Sequence, residues 1–209
     1  MYFKLICSKV ALFLLILKLS GDFMNLLKQL TDFVPSCLQE EADKEAFIDF
    51  VKNNEHCLFR ENSAGHITVS SWIVNRDRTK VLFCYHNIYK SWSWVGGHAD
   101  GNENLLAVAV REAKEETGAH VSPLSEKIFS LEILPVAGHF RKGKYVPSHV
   151  HYNVTYLVQA DENESLCICE DENSAVGWIS LADVAEKSTE PWMIENVYNK
   201  ITKKLHSDF

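Results

Sequence analysis

The sequence contains no C-x-x-C pair, no internal repeat and no low-complexity tract, and its charge is not basic. It also lacks an apolar run long enough to span a bilayer, which takes about 20 residues. Each absence excludes something. The six cysteines (Cys7, Cys37, Cys57, Cys84, Cys167 and Cys169) have no zinc-finger spacing. They read better as reduced, partly buried thiols of a cytoplasmic protein than as a disulfide framework. A net charge of −7, from 21 basic and 28 acidic residues, argues against a nucleic-acid backbone as partner. It leaves an anionic small molecule open, because a bound cation reverses the local sign. What remains is 209 residues with 46% hydrophobic content, suited to one soluble domain with extensions.

The first residues need separate treatment. Val10–Leu17 is apolar and follows Lys4 and Lys9, but Lys18 interrupts it and no small-x-small cleavage site follows. Three readings of residues 1–23 stand: an over-long start with Met24 as initiator, a membrane-associating helix, or a cleaved signal. Under the first of these, the segment is dispensable and membrane association is not expected. Residues 24–64 then form a helical extension, with helices over 25–33 and 38–53 separated at Pro35. Residues 65–205 form the main domain.

Within that domain, strands are expected over Ile67–Val74, Val81–Tyr85, Ile128–Leu134, His149–Ala160 and Val176–Trp178. A basic loop with His139, Arg141, Lys142 and Lys144 joins the third of these strands to the fourth. Helices are expected over Leu181–Lys187 and Pro191–Leu205. Strand His149–Ala160 alternates: His149, His151, Asn153 and Thr155 point one way, and Val150, Tyr152 and Val154 the other. Two histidines on a polar face suggest pocket lining; the alternatives are an exposed sheet face, or a His-x-His metal pair with no third ligand to name. A charged histidine there would bind phosphate. Trp92 and Trp94 are candidates to stack a base, or are core.

The densest chemistry lies between Gly97 and Ala119. Its spacing is G-x5-E-x7-R-E-A-x-E-E-x-G-A, with Glu103, Arg111, Glu112, Glu115 and Glu116 at the charged positions. Glu112, Glu115 and Glu116 fall at i, i+3 and i+4 of one helix and repel each other unless something positive binds. Leu106, Ala109, Val110, Ala113 and Thr117 form the core-facing stripe, and Gly118 is the stop. Clustered carboxylates suit Mg²⁺ or Mn²⁺ rather than zinc.

This segment resembles the Nudix box, G-x5-E-x7-R-E-U-x-E-E-x-G-U with U aliphatic. Every fixed position matches, and both U positions are alanine (Ala113 and Ala119). The resemblance extends from about Ile67 to about Glu186. It implies an α/β/α sandwich around a mixed sheet, with the box as loop–helix–loop. It also implies Mg²⁺-dependent hydrolysis of a nucleoside diphosphate linked to another group, a small-molecule nucleotide-type substrate. By the same resemblance, Glu115, Glu116 and the carbonyl of Gly96 are metal ligands, and Glu112 is a ligand or the general base. Glu103 supports the loop, and Arg111 holds Glu112 or Glu103. Glu172, in the acidic turn before Trp178, is the further metal-site acid. The substrate-binding set is His149, His151 and Trp94. The alternatives are a non-catalytic nucleotide sensor of the same family or an isoprenoid-type isomerase on a related fold.

Overall fold

The computed structural model describes residues 25–141 and 143–207. The three readings of residues 1–23, and Lys142 of the basic loop, lie outside the described residues.

Eight strands form one mixed sheet. Its axis is β1 (Gly65–Val74), every residue of which is buried. It is antiparallel to β2 (Lys80–His86) through Val74↔Val81, and antiparallel to β4 (Val95–His98) through Thr68↔His98 to Ser71↔Val95. On its other side it runs parallel to β9 (His149–Gln159) over its whole length. β3 (Ser91–Ser93) and β10 (Asn173–Ser180) pair with β2; β5 (Ser122–Pro123) and β6 (Ser130–Val136) pair with β9. The expected basic loop is a hairpin of β7 (His139–Arg141) and β8 (Lys144–Val146). Strand β6 begins and ends two residues later than the sequence pattern predicts. Pro135 does not end it; β6 pairs with β9 alone, and proline is tolerated on such edge strands.

Helices cover both faces, giving the α/β/α arrangement. Helices α1 (25–32), α2 (Leu38–Asn53) and α3 (Leu105–Thr117) share a core with Ile67, Val69, Ile73, Leu82 and Val154. Phe47 is fully buried in it, and Phe50 stacks on Tyr152 at 3.8 Å. The N-terminal helices therefore supply core residues. On the opposite face, Trp72, Val74, Val81 and Phe83 pack against the C-terminal helical segment. That segment is α5 (Pro191–Met193), a π-helical turn (Ile194–Tyr198) and α6 (Asn199–Ser207). The extra residue in the π turn keeps Val197, Tyr198, Ile201 and Leu205 all buried. The helix expected over Leu181–Lys187 is shorter, α4 (Val184–Lys187). Leu181 instead spends its N–H on Thr79 O, and Asp183 turns back on Ser180 O.

The polar face of β9 is not all pocket. Asn153 and Thr155 are buried, and both donate to Glu132 Oε2, at 3.0 and 2.8 Å. Thr68 and Ser70 donate to Asn153 Oδ1 at 3.0 Å. Glu132 and Glu40 are fully buried, with Ser130 hydrogen-bonded to both. Lys200 Nζ lies 3.1 Å from Glu132 and 3.7 Å from Glu40, and donates to Leu131 O at 2.8 Å. Lys204 reaches Glu40 at 3.4 Å. Burial alone would raise the Glu40 carboxyl, but the Ser36 amide, Lys200, Ser130 and Lys204 outweigh it and hold it below the usual range. This sealed network locks α2, β1, β6, β9 and α6 together. It corrects the expectation that Asn153 and Thr155 line a pocket or an exposed face.

Candidate active site

The acidic helix is built by its ends. Asn104 caps α3, its side chain accepting from Ala107 N at 3.0 Å. Gly118 closes it at φ 73, a left-handed position that favours glycine, and its N–H reaches Lys114 O. The buried face is Leu105, Val108, Ala109, Ala113, Glu116 and Thr117. Leu106 and Val110, expected in the core stripe, are only half-buried. The reason is visible at Ser71, which donates to Ala109 O at 3.0 Å and so sets the helix rotation against β1. That rotation also carries Glu116 inward.

The three box glutamates have three different environments. Glu116 is 3% exposed; its carboxylate accepts from Gly96 N at 2.8 Å and meets Cys84 Sγ at 3.5 Å. Burial pushes its pKa up to about 8, against the pull of the Gly96 amide, and Glu172 and Glu112 add to the rise. Glu112 is half-buried over β4. A Cβ on Gly97 would stand 2.5–2.7 Å from its carboxylate, so only glycine lets the two meet. Burial raises Glu112 as well; Arg111 opposes this, while Glu115, Glu172 and Asp100 reinforce it. Arg111 Nη2 holds Glu112 Oε1 at 2.6 Å. Glu115 faces solvent.

Glu172 is exposed, yet its charge reaches both Glu112 and Glu116. Its loop is docked on the end of α3: Cys167 N donates to Thr117 O at 2.8 Å, and Asn173 Nδ2 to Glu116 O at 3.0 Å. The loop before α3 is pinned too. Arg60 grips Asp100 with both arms, Gly101 N bonds Leu58 O at 3.1 Å, and Ala99 N bonds Ile67 O at 3.2 Å. Glu103 is half-buried in that loop, and its carbonyl accepts from Leu105 N at 3.1 Å.

The substrate-binding candidates separate. Trp94 is half-buried against the cluster under the C-terminal segment, edge-on to Tyr198 at 5.8 Å. His149 and His151 lie at the other end of that sheet face, among His66, His98 and His139. Burial, with the neighbouring imidazoles, holds His151 far below the usual histidine range. A cationic, phosphate-binding His151 is therefore not what this environment gives. Sequence reasoning missed Cys84, Arg60 and Asp100. Cys84 and Arg60 carry no local motif, and Asp100 sits at a position of the box that its pattern leaves open; they meet the site through β2 and the loops.

Residues 65–200 match the family model described as NUDIX domain. The chain belongs to the NUDIX domain family. A Xenopus laevis protein named m7GpppN-mRNA hydrolase NUDT17 is 35% identical over 108 residues, covering 49% of this chain and 34% of that protein. The chain thus spans about a third of that relative's length. A Lactococcus lactis protein named probable DHNTP pyrophosphohydrolase is 25% identical over 142 residues, covering 68% of this chain and 81% of its own. Among solved structures, a C. elegans Ap4A hydrolase binary complex is 18% identical with a TM-score of 0.49, covering 68% of this chain and 96% of that one.

The Nudix helix has a measurable electrostatic signature. In chelator, Glu116 has a folded pKa near 8 and an ordinary value of 4.5. Because the folded value is raised, its contribution to stability is full below the unfolded pKa and is lost as pH rises through the folded one. The difference in Tm between wild type and Glu116→Gln in EDTA should therefore shift against wild type from roughly pH 5 to roughly pH 9. A pH-independent difference would show that Glu116 is not the strained carboxylate.

Proposed function

We propose that this chain hydrolyses a phosphoanhydride in a nucleoside diphosphate linked to another group, and that it requires Mg²⁺ or Mn²⁺. The observation that carries this is the convergence of Glu112 and Glu116 on the Gly96-Gly97 strand, within electrostatic reach of Glu172, with both helix carboxyls raised. Such a cluster is unfavourable alone and fits a hard divalent ion, which takes oxygen ligands. Glu115 and Glu116, with the Gly96 carbonyl and Glu172, would hold the ion. It would neutralise phosphate charge and acidify the attacking water. The chain's own groups do the rest. Arg111 fixes Glu112, placing that carboxylate to take the proton from water. The Gly96 amide fixes Glu116, and the Arg60–Asp100 pair and Glu103 hold the loop.

The relatives' names, an mRNA cap hydrolase and a probable pyrophosphohydrolase, support hydrolysis of this type. Among the described residues the cysteines are free thiols, which supports a reducing, cytoplasmic setting. No helix among the described residues is long and apolar enough to cross a membrane. The test is a panel of nucleoside triphosphates, nucleotide sugars, dinucleoside polyphosphates and capped dinucleotides with Mg²⁺, reading phosphate, pyrophosphate and nucleotide products. At least one class should turn over, with cleavage at a phosphoanhydride. Tight binding across the panel without turnover would replace this reading by a sensor.

A further inference from the structure

We propose that His66, His149 and His151 form a second metal site, for an imidazole-preferring divalent ion such as Zn²⁺, that clamps the start of β1 to the start of β9. The site is separate from the glutamates. His66, Thr68 and Ser70 alternate along β1 with Ile67, Val69 and Ser71, and it is Ser71 that bonds α3. The histidines therefore occupy the sheet face turned away from the acidic helix.

Three facts make this a built site. His66 and His151 are register partners in the parallel ladder, and His149 is two residues from His151 on the same face. The outer nitrogens are oriented: His66 Nδ1 lies 3.1 Å from Asn62 O, and His149 Nδ1 lies 2.9 Å from Pro147 O. Donation from Nδ1 to a carbonyl fixes the tautomer and leaves Nε2 as a bare lone pair, the arrangement of metal-ligating histidines. Third, the ring nitrogens converge, His149 Nε2 being hydrogen-bonded to His151 Nε2 through a proton that a bound metal ion would displace. His149 Nε2 and His151 Nε2 are 3.1 Å apart, and one ligand nitrogen from each of the three rings lies within 4.8 Å of the others.

His66 Nε2 is the most telling atom. The residue is 4% exposed, and this nitrogen has no hydrogen-bond partner. A buried, unpartnered polar atom is costly unless something else meets it. A tetrahedral zinc ion, with bonds of about 2.0–2.1 Å, holds its ligand nitrogens about 3.3–3.4 Å apart. The 3.1 Å pair opens by a few tenths of an ångström and the wider separations, at most 4.8 Å, close to reach that spacing. His98 stands beside it, its ring centre 5.0 Å from that of His66 and 5.1 Å from that of His151, next to the fourth position. An all-nitrogen donor set selects zinc-class ions over Mg²⁺. Burial also keeps His66 and His151 neutral, the form that ligates.

The probe is Co²⁺ on the untagged, metal-stripped full chain. One equivalent should give visible bands of the intensity typical of four-coordinate nitrogen ligation, bleached by Zn²⁺ and indifferent to excess Mg²⁺. His66→Ala and His151→Ala should each weaken Co²⁺ binding at least about tenfold, with circular dichroism unchanged, whereas Glu116→Gln should keep the bands. Zn²⁺ at about a hundredfold excess over its Kd should raise the Tm of wild type by about 5–10 °C. X-ray absorption on the Zn²⁺-loaded wild type needs no variant and should show at least three imidazoles. An oxygen-only shell, weak six-coordinate bands, or bands lost in Glu116→Gln but kept in both histidine variants would overturn the proposal. All of these readouts are independent of turnover, so failure here leaves the hydrolase reading untouched.

Discussion

Replacing Glu116 by glutamine should lower kcat by a factor of at least about 10², the loss expected when a group that stabilises transition-state charge is removed. The fold should survive. Glutamine has nearly the same shape, and its carbonyl can still accept from Gly96 N, the 2.8 Å bond that anchors Glu116. What disappears is a carboxyl whose ionisation burial disfavours, so wild type loses stability as pH rises toward about 8 and the variant does not. The variant should therefore be at least as thermostable as wild type in chelator while losing turnover, a combination that a merely damaged protein would not give. Glu115→Gln should show a comparable loss of kcat with no change in stability, because Glu115 faces solvent. Unchanged turnover in both variants would place the chemistry elsewhere.

The second large effect lies behind the sheet. Lys200→Met should destabilise the protein by about 3–5 kcal/mol, since removing one partner leaves uncompensated buried charge. Lys200 is 9% exposed and stands between Glu132 and Glu40, both at 0%. Lys204 at 3.4 Å can still serve Glu40, so the stranded group is chiefly Glu132. A second change, Glu132→Gln, made on the Lys200→Met background should recover part of the loss. The check is denaturant unfolding of the single and double variants. A loss under about 1 kcal/mol would mean the pair had been close to neutral in net effect.

These two positions mark what was legible from the sequence and what was not. The box was readable because its spacing is local: one loop and one helix carry every charged position, and helical periodicity places Glu112, Glu115 and Glu116 without knowledge of the fold. The strands were readable because β1 and β9 are rich in β-branched residues and alternate cleanly. The rotation of α3 was not readable. Leu106 and Val110 fit an apolar stripe as well as Leu105 and Val108 do, and the Ser71 bond to the helix backbone decides between them. The buried network was hidden for a deeper reason. Glu40, Glu132 and Lys200 lie far apart in sequence, and each alone reads as a surface charge; only the packing of α2 and α6 against β6 brings them into contact. The same holds for His66. The pair His149 and His151 drew attention by spacing, but their third partner is named only by the parallel β1–β9 register.

The most direct test of the account is the rate of product release from a responsive phosphoanhydride substrate in EDTA, followed by back-titration with Mg²⁺ or Mn²⁺. Wild type should show no turnover in chelator and full recovery on adding either ion, with recovery failing in Glu116→Gln. Full activity in chelator would contradict the metal requirement.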